Sequence, residues 1–183
     1  MQRCAWVTDD EIYKKYHDEE WGRPVHDDRK LFEFLVLEGA QAGLSWLTVL
    51  KKREHYKKVF DRFNPEKVAN YDDKKIQALL NDTGIIRNKL KMNSAVRNAK
   101  VFLKIQQEFG SFDAYIWGFV AGKPVINHFK SKEEVPAKTA LSDRISKDLQ
   151  KRGMNFVGST IVYAYMQAIG MVNDHTLDCF CRA

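Results

Sequence analysis

The sequence predicts an all-α fold, on three observations. Apolar residues recur at helical spacing, most plainly at Leu90, Ala95, Val96, Ala99, Phe102 and Leu103 between Arg87 and Phe109. Helix-start residues and glycine stops bracket the periodic stretches. No segment sustains the period-two alternation of a half-buried strand.

Taken in order, Thr8-Asp9-Asp10-Glu11 fits a capping box that opens a helix toward Tyr16. Asp27 or Asp28 caps the next helix, whose core is Leu31 to Glu38, and Gly39 and Gly43 break its pattern. A third helix is expected from Ser45 to about Phe60. Asn64-Pro65 supplies a cap and a first-turn proline for a short one. Asp72 starts another, ending near Gly84. The long helix to Phe109 stops at Gly110, and Ser111 caps a short successor. Gly122 to Pro136, with its glycine, prolines and mixed charge, is expected to be a connecting loop. The last two helices are expected at Ser142 to Arg152 and Ser159 to Gly170, with no internal repeat anywhere.

Composition narrows the class. The 183 residues, 44% hydrophobic and 12% aromatic, suffice for a real core and exclude global disorder. They suit one domain over residues 1–183, or two small helical lobes. No apolar run approaches the roughly 18 residues of a membrane span, and the N-terminus lacks the apolar stretch of a signal peptide, so a cytoplasmic protein is expected. The net charge of +6 is compatible with a polyanionic partner and does not require one. Three cysteines without an export signal argue against a disulfide framework.

Those cysteines have company. His175 and Cys179 stand four residues apart, and Cys4 and His17 lie near the other chain end. Two thiols and two imidazoles are the ligand set of a closed tetrahedral zinc site, which would pin one end of the chain to the other. The same spacing also suits surface histidines and buried thiols. Cys181 is a spare that could compete with Cys179.

A second pattern concerns an acid. Positions 31, 34, 35 and 38 share one helix face and read Leu31, Phe34, Leu35 and Glu38. Burial and the helix C-terminal dipole both oppose a charge at Glu38, so it needs a partner. A ligand offering positive charge or donors would serve, and so would a surface Arg or Lys. Trp6, Tyr16, Trp21 and Trp46 crowd the same quarter of the chain, either as core aromatics or as walls for a flat heterocycle. The turn Gln41 to Trp46 presents Leu44, after Gly43, as a wedge for a base stack or as an ordinary helix staple. Lys151-Arg152-Gly153 to Gly158-Ser159-Thr160 joins two helices, with charge on one side and a helix N-terminus suited to a phosphate on the other.

Taken together, Arg3 to Trp6, Tyr16 to Gly22, Leu37 to Trp46, Gly84 to Arg87, Phe156 to Thr160 and Asn173 to His175 resemble the 3-methyladenine DNA glycosylase I family. The resemblance extends over almost the full chain. It implies a helix-hairpin-helix DNA glycosylase fold, although only Val157-Gly158 keeps the usual hairpin wording. It implies one structural Zn2+ on Cys4, His17, His175 and Cys179. It implies a pocket in which Glu38 and Tyr16 hydrogen-bond a methylated base, Trp46 stacks on it, and Trp6 and Trp21 form walls. Gly43-Leu44 would approach the gap in the DNA, while Lys151, Arg152, Gly158, Ser159 and Thr160 grip the backbone. The implied partner is double-stranded DNA with alkylated purines, the implied state a monomer, and the implied activity hydrolysis without lyase chemistry. From Tyr163 to Asn173 there is no acid, in keeping with a family that lacks the aspartate found after the hairpin in related glycosylases. The competing expectation is a zinc-stapled DNA-binding module without catalysis.

Overall fold

The computed structural model describes residues 1–182. It is helical, with α1 (Glu11–Glu19), α2 (Asp28–Gln41), α3 (Trp46–Val59), α4 (Pro65–Ala69), α5 (Asp73–Leu80), α6 (Lys89–Phe109), α7 (Phe112–Gly118), α8 (Ala140–Lys151) and α9 (Ser159–Ala168). The one departure from all-α among the described residues is a parallel pair, β1 (Val125–Ile126) with β2 (Val172–Asn173). β1 lies inside the segment expected to be irregular, as does a 3-10 turn at Lys132–Glu134.

Side-chain caps fix most helix starts. Asp10, Asp27, Ser45, Asn64, Asp72, Asn88 and Ser111 each accept a backbone N–H of the turn they open. The expected capping box at Thr8 is absent: Asp10 caps α1 and Thr8 Oγ1 accepts from the Asp10 N–H instead. A reciprocal box forms at Thr139 and Ser142, opening α8 two residues early. α5 stops at Leu80 rather than near Gly84. Gly84 sits against the His55 ring, where an added Cβ would lie 2.3 Å from Cδ2.

α2 is the centre of the molecule, packed on α3, α6, α7 and α9. Every residue from Leu31 to Glu38 is buried, so α2 is enclosed on all sides there rather than along one stripe. Its two ends are tied down by polar groups from distant helices. Asp28 accepts from the Phe112 and Asp113 N–H groups at 2.9 and 2.8 Å, capping α7 as it begins α2. At the other end Lys91 Nζ of α6 donates to the carbonyls of Ala40 and Ala42 at 2.9 and 2.6 Å, placing a cation where the helix dipole is negative. Tyr165 of α9 donates to the Leu31 carbonyl at 2.9 Å.

The turn between α8 and α9 is anchored on α6. Asn98 Nδ2 donates to the Asn155 carbonyl at 2.8 Å, and the Asn155 N–H returns to Asn98 Oδ1 at 2.9 Å. The segment after α1 docks on the end of α9, where the N–H groups of Gly22 and Val25 reach the carbonyls of Gln167 and Ile169. That approach requires glycine at position 170: φ is +71°, and a Cβ would lie 2.1 Å from the Arg23 carbonyl carbon.

Candidate active site and metal centre

α1, the α2 C-terminal half, the start of α3, α9 and the segment Lys132 to Ala137 enclose a cavity of about 340 Å3. Trp6, Tyr16, Trp21, Glu38 and Trp46 line it together. The Tyr16 and Trp46 ring centroids are 5.5 Å apart and inclined at 54°, and those of Trp6 and Trp21 are 5.0 Å apart, edge to face. Tyr13, Gln41, Lys132, Thr160, Tyr163, Gln167, Asp174 and Thr176 add polar groups to the lining.

Glu38 reaches this cavity from the last turn of α2 and is 3% exposed. Its Oε2 has no hydrogen-bond partner among the described residues, and neither do the indole N–H groups of Trp6 and Trp46. Burial alone pushes the Glu38 carboxyl up to about 8. Burial, then the nearby Glu38 charge, raises the Tyr16 hydroxyl well above its usual range. The ion pair that the sequence left open belongs to a neighbour and is itself largely buried: Glu33, five residues earlier, binds Arg53, which also holds Glu20 in a bidentate pair at 2.8 and 3.0 Å. Glu38 is thus a buried acid whose Oε2 nothing among the described residues satisfies, lining a cavity walled by aromatic rings.

Asp174 is the second buried acid of the cavity and was not anticipated as part of it. Its carboxylate accepts from Asn127 Nδ2 at 2.7 Å, from Gln167 Nε2 at 2.9 Å and from the Tyr163 hydroxyl. The period of α9, which puts Thr160, Tyr163, Ala164 and Gln167 on one face, signals that helix's share of the wall, whereas Asp174 lies beyond α9 and no periodic pattern points to it.

Behind the Trp6–Trp21 wall, Cys4, His17, His175 and Cys179 meet, all buried, with one ligand atom from each within 4.8 Å of all the others. Cys4 Sγ lies 3.5 Å from His175 Nδ1. Cys179 Sγ lies 3.3 Å from the same nitrogen and 3.4 Å from His17 Nε2. A tetrahedron with metal–ligand bonds of roughly 2.0–2.3 Å has edges of about 3.3–3.8 Å, so these separations fit one. The outward ring nitrogens are occupied as ligating histidines require: His17 Nδ1 sits 2.7 Å from Asp18 Oδ1, and His175 Nε2 lies 3.0 Å from the Trp21 carbonyl. Arg3 in turn clamps Asp18. Burial lowers His175 to about 4, keeping its lone pair free, and raises the Cys4 thiol to about 12 in the absence of a cation. Cys181 is half-buried and stands 4.0 Å from His17 Nδ1, the nitrogen facing away from the cluster. Gly22, with φ +74°, leaves room for the His175 ring, which a Cβ would meet at 3.1 Å.

The other sequence-predicted positions lie around the cavity or on the α8–α9 turn. Gly43 adopts φ +80°, and Leu44 is 42% exposed at the α2–α3 corner. Lys151 is exposed, whereas Arg152 is bound to Glu108 and Asp148, so the turn carries less free charge than its sequence suggests. Gly158 is the N-cap of α9 and offers no side chain to its first N–H groups. Ser159 Oγ is engaged with Ser142 Oγ at 2.8 Å, and Thr160 borders the cavity.

The arrangement has close counterparts. A family profile described as methyladenine glycosylase matches residues 6–182. The chain is 47% identical over 181 residues to the Escherichia coli (strain K12) protein named DNA-3-methyladenine glycosylase 1, spanning 99% of this chain and 97% of that one. A crystal structure of 3-methyladenine DNA glycosylase I superposes with a TM-score of 0.96 at 49% identity, over 98% of this chain and 99% of that one. A second, of a tyrosine-to-phenylalanine variant of such an enzyme in complex with 3-methyladenine, also gives a TM-score of 0.96, at 37% identity over 100% of this chain and 98% of that one. With its aromatic cavity, its unsatisfied acid and these likenesses along nearly its whole length, the chain belongs to the methyladenine glycosylase family.

Proposed function

We propose that this protein hydrolyses the N-glycosidic bond of 3-methyladenine in alkylated double-stranded DNA, acting as a single domain over residues 1–183. The observation that carries the reading is Glu38, an acid with no partner for Oε2 in a cavity lined by Tyr16, Trp46, Trp6 and Trp21. At about 340 Å3 the cavity is near the lower end of small-molecule sites, which run roughly 300–1,000 Å3. That suits one purine taken out of the base stack.

N3-methylation gives the base a formal positive charge. In the free protein burial favours the neutral form of Glu38, whose carboxyl is raised to about 8. A cationic base supplies the missing partner, so its entry and the ionisation of Glu38 favour one another. Neutral adenine lacks that charge. Trp46 stacks on the base, Tyr16 and Glu38 hydrogen-bond its edge, and Trp6 and Trp21 exclude water from its far side. When the C1′–N9 bond breaks, its electron pair neutralises the base, which leaves without needing a proton. Water adds to the oxocarbenium-like C1′ and releases a proton to solvent. The scheme uses water and not a lysine amine as the nucleophile, so the expected product is an abasic site without strand cleavage.

The α8–α9 hairpin is assigned to the helix-hairpin-helix class. The uncapped N–H groups after Gly158, with Lys151 nearby, suit a DNA phosphate. Leu44, exposed at its corner, would fill the gap left by the flipped nucleotide. Cys4, His17, His175 and Cys179 would hold one structural zinc ion, a closed site whose contribution is to tie the two ends of the chain together. Among the described residues no helix is long and apolar enough to cross a membrane. A monomer in the cytoplasm fits this function.

The test is chromatography of the material released from methylated duplex DNA. Free 3-methyladenine above a heat-killed control is expected. Salt-sensitive duplex binding with no base released would replace this reading with a non-catalytic DNA-binding module.

A further inference from the structure

Three charged side chains line the cavity: Glu38, Asp174 and Lys132. The two acids suit a cationic base. The lysine does not, because a cation at the site of a cationic ligand repels it unless a second, negative part of the same ligand lies alongside. Lys132 comes from the segment Lys132 to Ala137, of which Val135, Pro136 and Ala137 also form the cavity wall. It is exposed and makes no ion pair among the described residues. Of the acids that follow it, Glu134 Oε2 accepts the Lys130 N–H at 2.7 Å, and Glu133, exposed beside it in the chain, feels its charge without forming an ion pair with it among the described residues. Asp174 is taken up by Asn127, Tyr163 and Gln167. No hydrogen bond or ion pair joins Lys132 to Glu38 among the described residues. The cavity is therefore polarised, with an unsatisfied acid within and, at its rim, an exposed cation that no ion pair holds among the described residues.

Resting on the reading above, we infer that Lys132 contacts a backbone phosphate of the nucleotide whose base occupies the cavity, making the Lys132–Ala137 segment part of the substrate site. The base and its phosphate are then recognised at opposite ends of one cavity by opposite charges. A base already in the pocket but lacking the phosphate gains nothing from Lys132, which separates substrate from released product.

Lys132→Ala, Lys132→Glu and Lys132→Arg test this, with release from methylated duplex measured across a salt series and binding of free 3-methyladenine followed by tryptophan fluorescence. Lys132→Ala is expected to lower kcat/KM roughly fivefold at low salt and to flatten its log–log salt dependence by about 0.9, the signature of one lost phosphate contact. Lys132→Glu should lower it further, Lys132→Arg should restore it, and the affinity of all three for the free base should match the parent. A salt slope unchanged in Lys132→Ala would overturn the inference. So would a loss of free-base affinity as large as the loss of activity, which would make Lys132 part of the base pocket. If the parent protein neither binds 3-methyladenine nor releases it, the underlying reading fails instead, and that outcome is visible before any variant is made.

Discussion

Two clusters of buried polar groups share the wall made by Trp6 and Trp21, and they are finished in opposite ways. In the Cys4–His17–His175–Cys179 cluster every inward atom faces another at 3.3–3.5 Å, and every outward ring nitrogen has Asp18 or a carbonyl to bind. In the cavity, Glu38 Oε2 and the Trp6 and Trp46 indole N–H groups are left without partners. A completed polar cluster rigidifies, whereas an incomplete one is destabilising until something else completes it. The difference separates a structural centre from a binding centre more sharply than residue type does, since both contain buried ionisable groups.

Breaking the completed cluster should have the largest effect. Cys179→Ala is expected to lower unfolding free energy by roughly 3–5 kcal/mol, the scale of losing a cross-link that closes a long loop. Circular dichroism melts and metal analysis by mass spectrometry check it. Bound zinc in the parent and none in the variant is the expected pair of results, and an unchanged melt would remove the distinction between the clusters.

Next comes the incomplete cluster. Glu38→Gln keeps the shape and removes the charge, and is expected to lower kcat/KM on methylated DNA about ten- to a hundredfold, the weight of one charged hydrogen bond. The same variant should be more stable than its parent when no ligand is bound. With its carboxyl raised from 4.5 to about 8, Glu38 holds a proton more tightly folded than unfolded. Its favourable contribution is present below pH 4.5 and is lost as pH rises toward 8. The unfolding free energies of parent and variant should therefore diverge over that window, by on the order of 2 kcal/mol at pH 8, because water in the open cavity relaxes part of the charge. Parallel pH curves would mean that Glu38 is satisfied after all.

The smallest effect tests the boundary. Gly22→Ala adds a methyl 3.1 Å from the His175 ring at a φ of +74°. It should destabilise the fold by about 1–2 kcal/mol and weaken metal retention while leaving free-base affinity close to that of the parent. Equal damage to both would show that the two clusters are mechanically one.

How much of this was legible depended on whether the deciding partner was local. Asp27, Ser45, Asn64 and Ser111 cap helices through bonds within three residues, so the sequence places those starts correctly. Leu90 falls on the helical period of α6 yet is 71% exposed, since periodicity does not say where a neighbouring helix ends. The free charge of Arg152 disappears into Glu108, 44 residues away, and the cavity wall at Val135 to Ala137 hides in a segment whose composition reads only as a loop. The metal-ligating types and the acid on the apolar face were visible as residue types. That Oε2 of Glu38 would have no partner depends on the placement of every neighbour, and no local pattern contains it.

The meeting of the chain ends carries one more consequence. Phe180 donates its N–H to the Gln2 carbonyl at 3.0 Å, beside the buried thiols of Cys4 and Cys179. Most proteins fray from a terminus, but here peeling either end first disturbs the buried Cys4–His17–His175–Cys179 cluster. Opening should instead begin internally, at exposed turns such as Gly122 or the Lys132–Ala137 segment. The parts of the molecule that handle substrate can then move while the ends stay fastened.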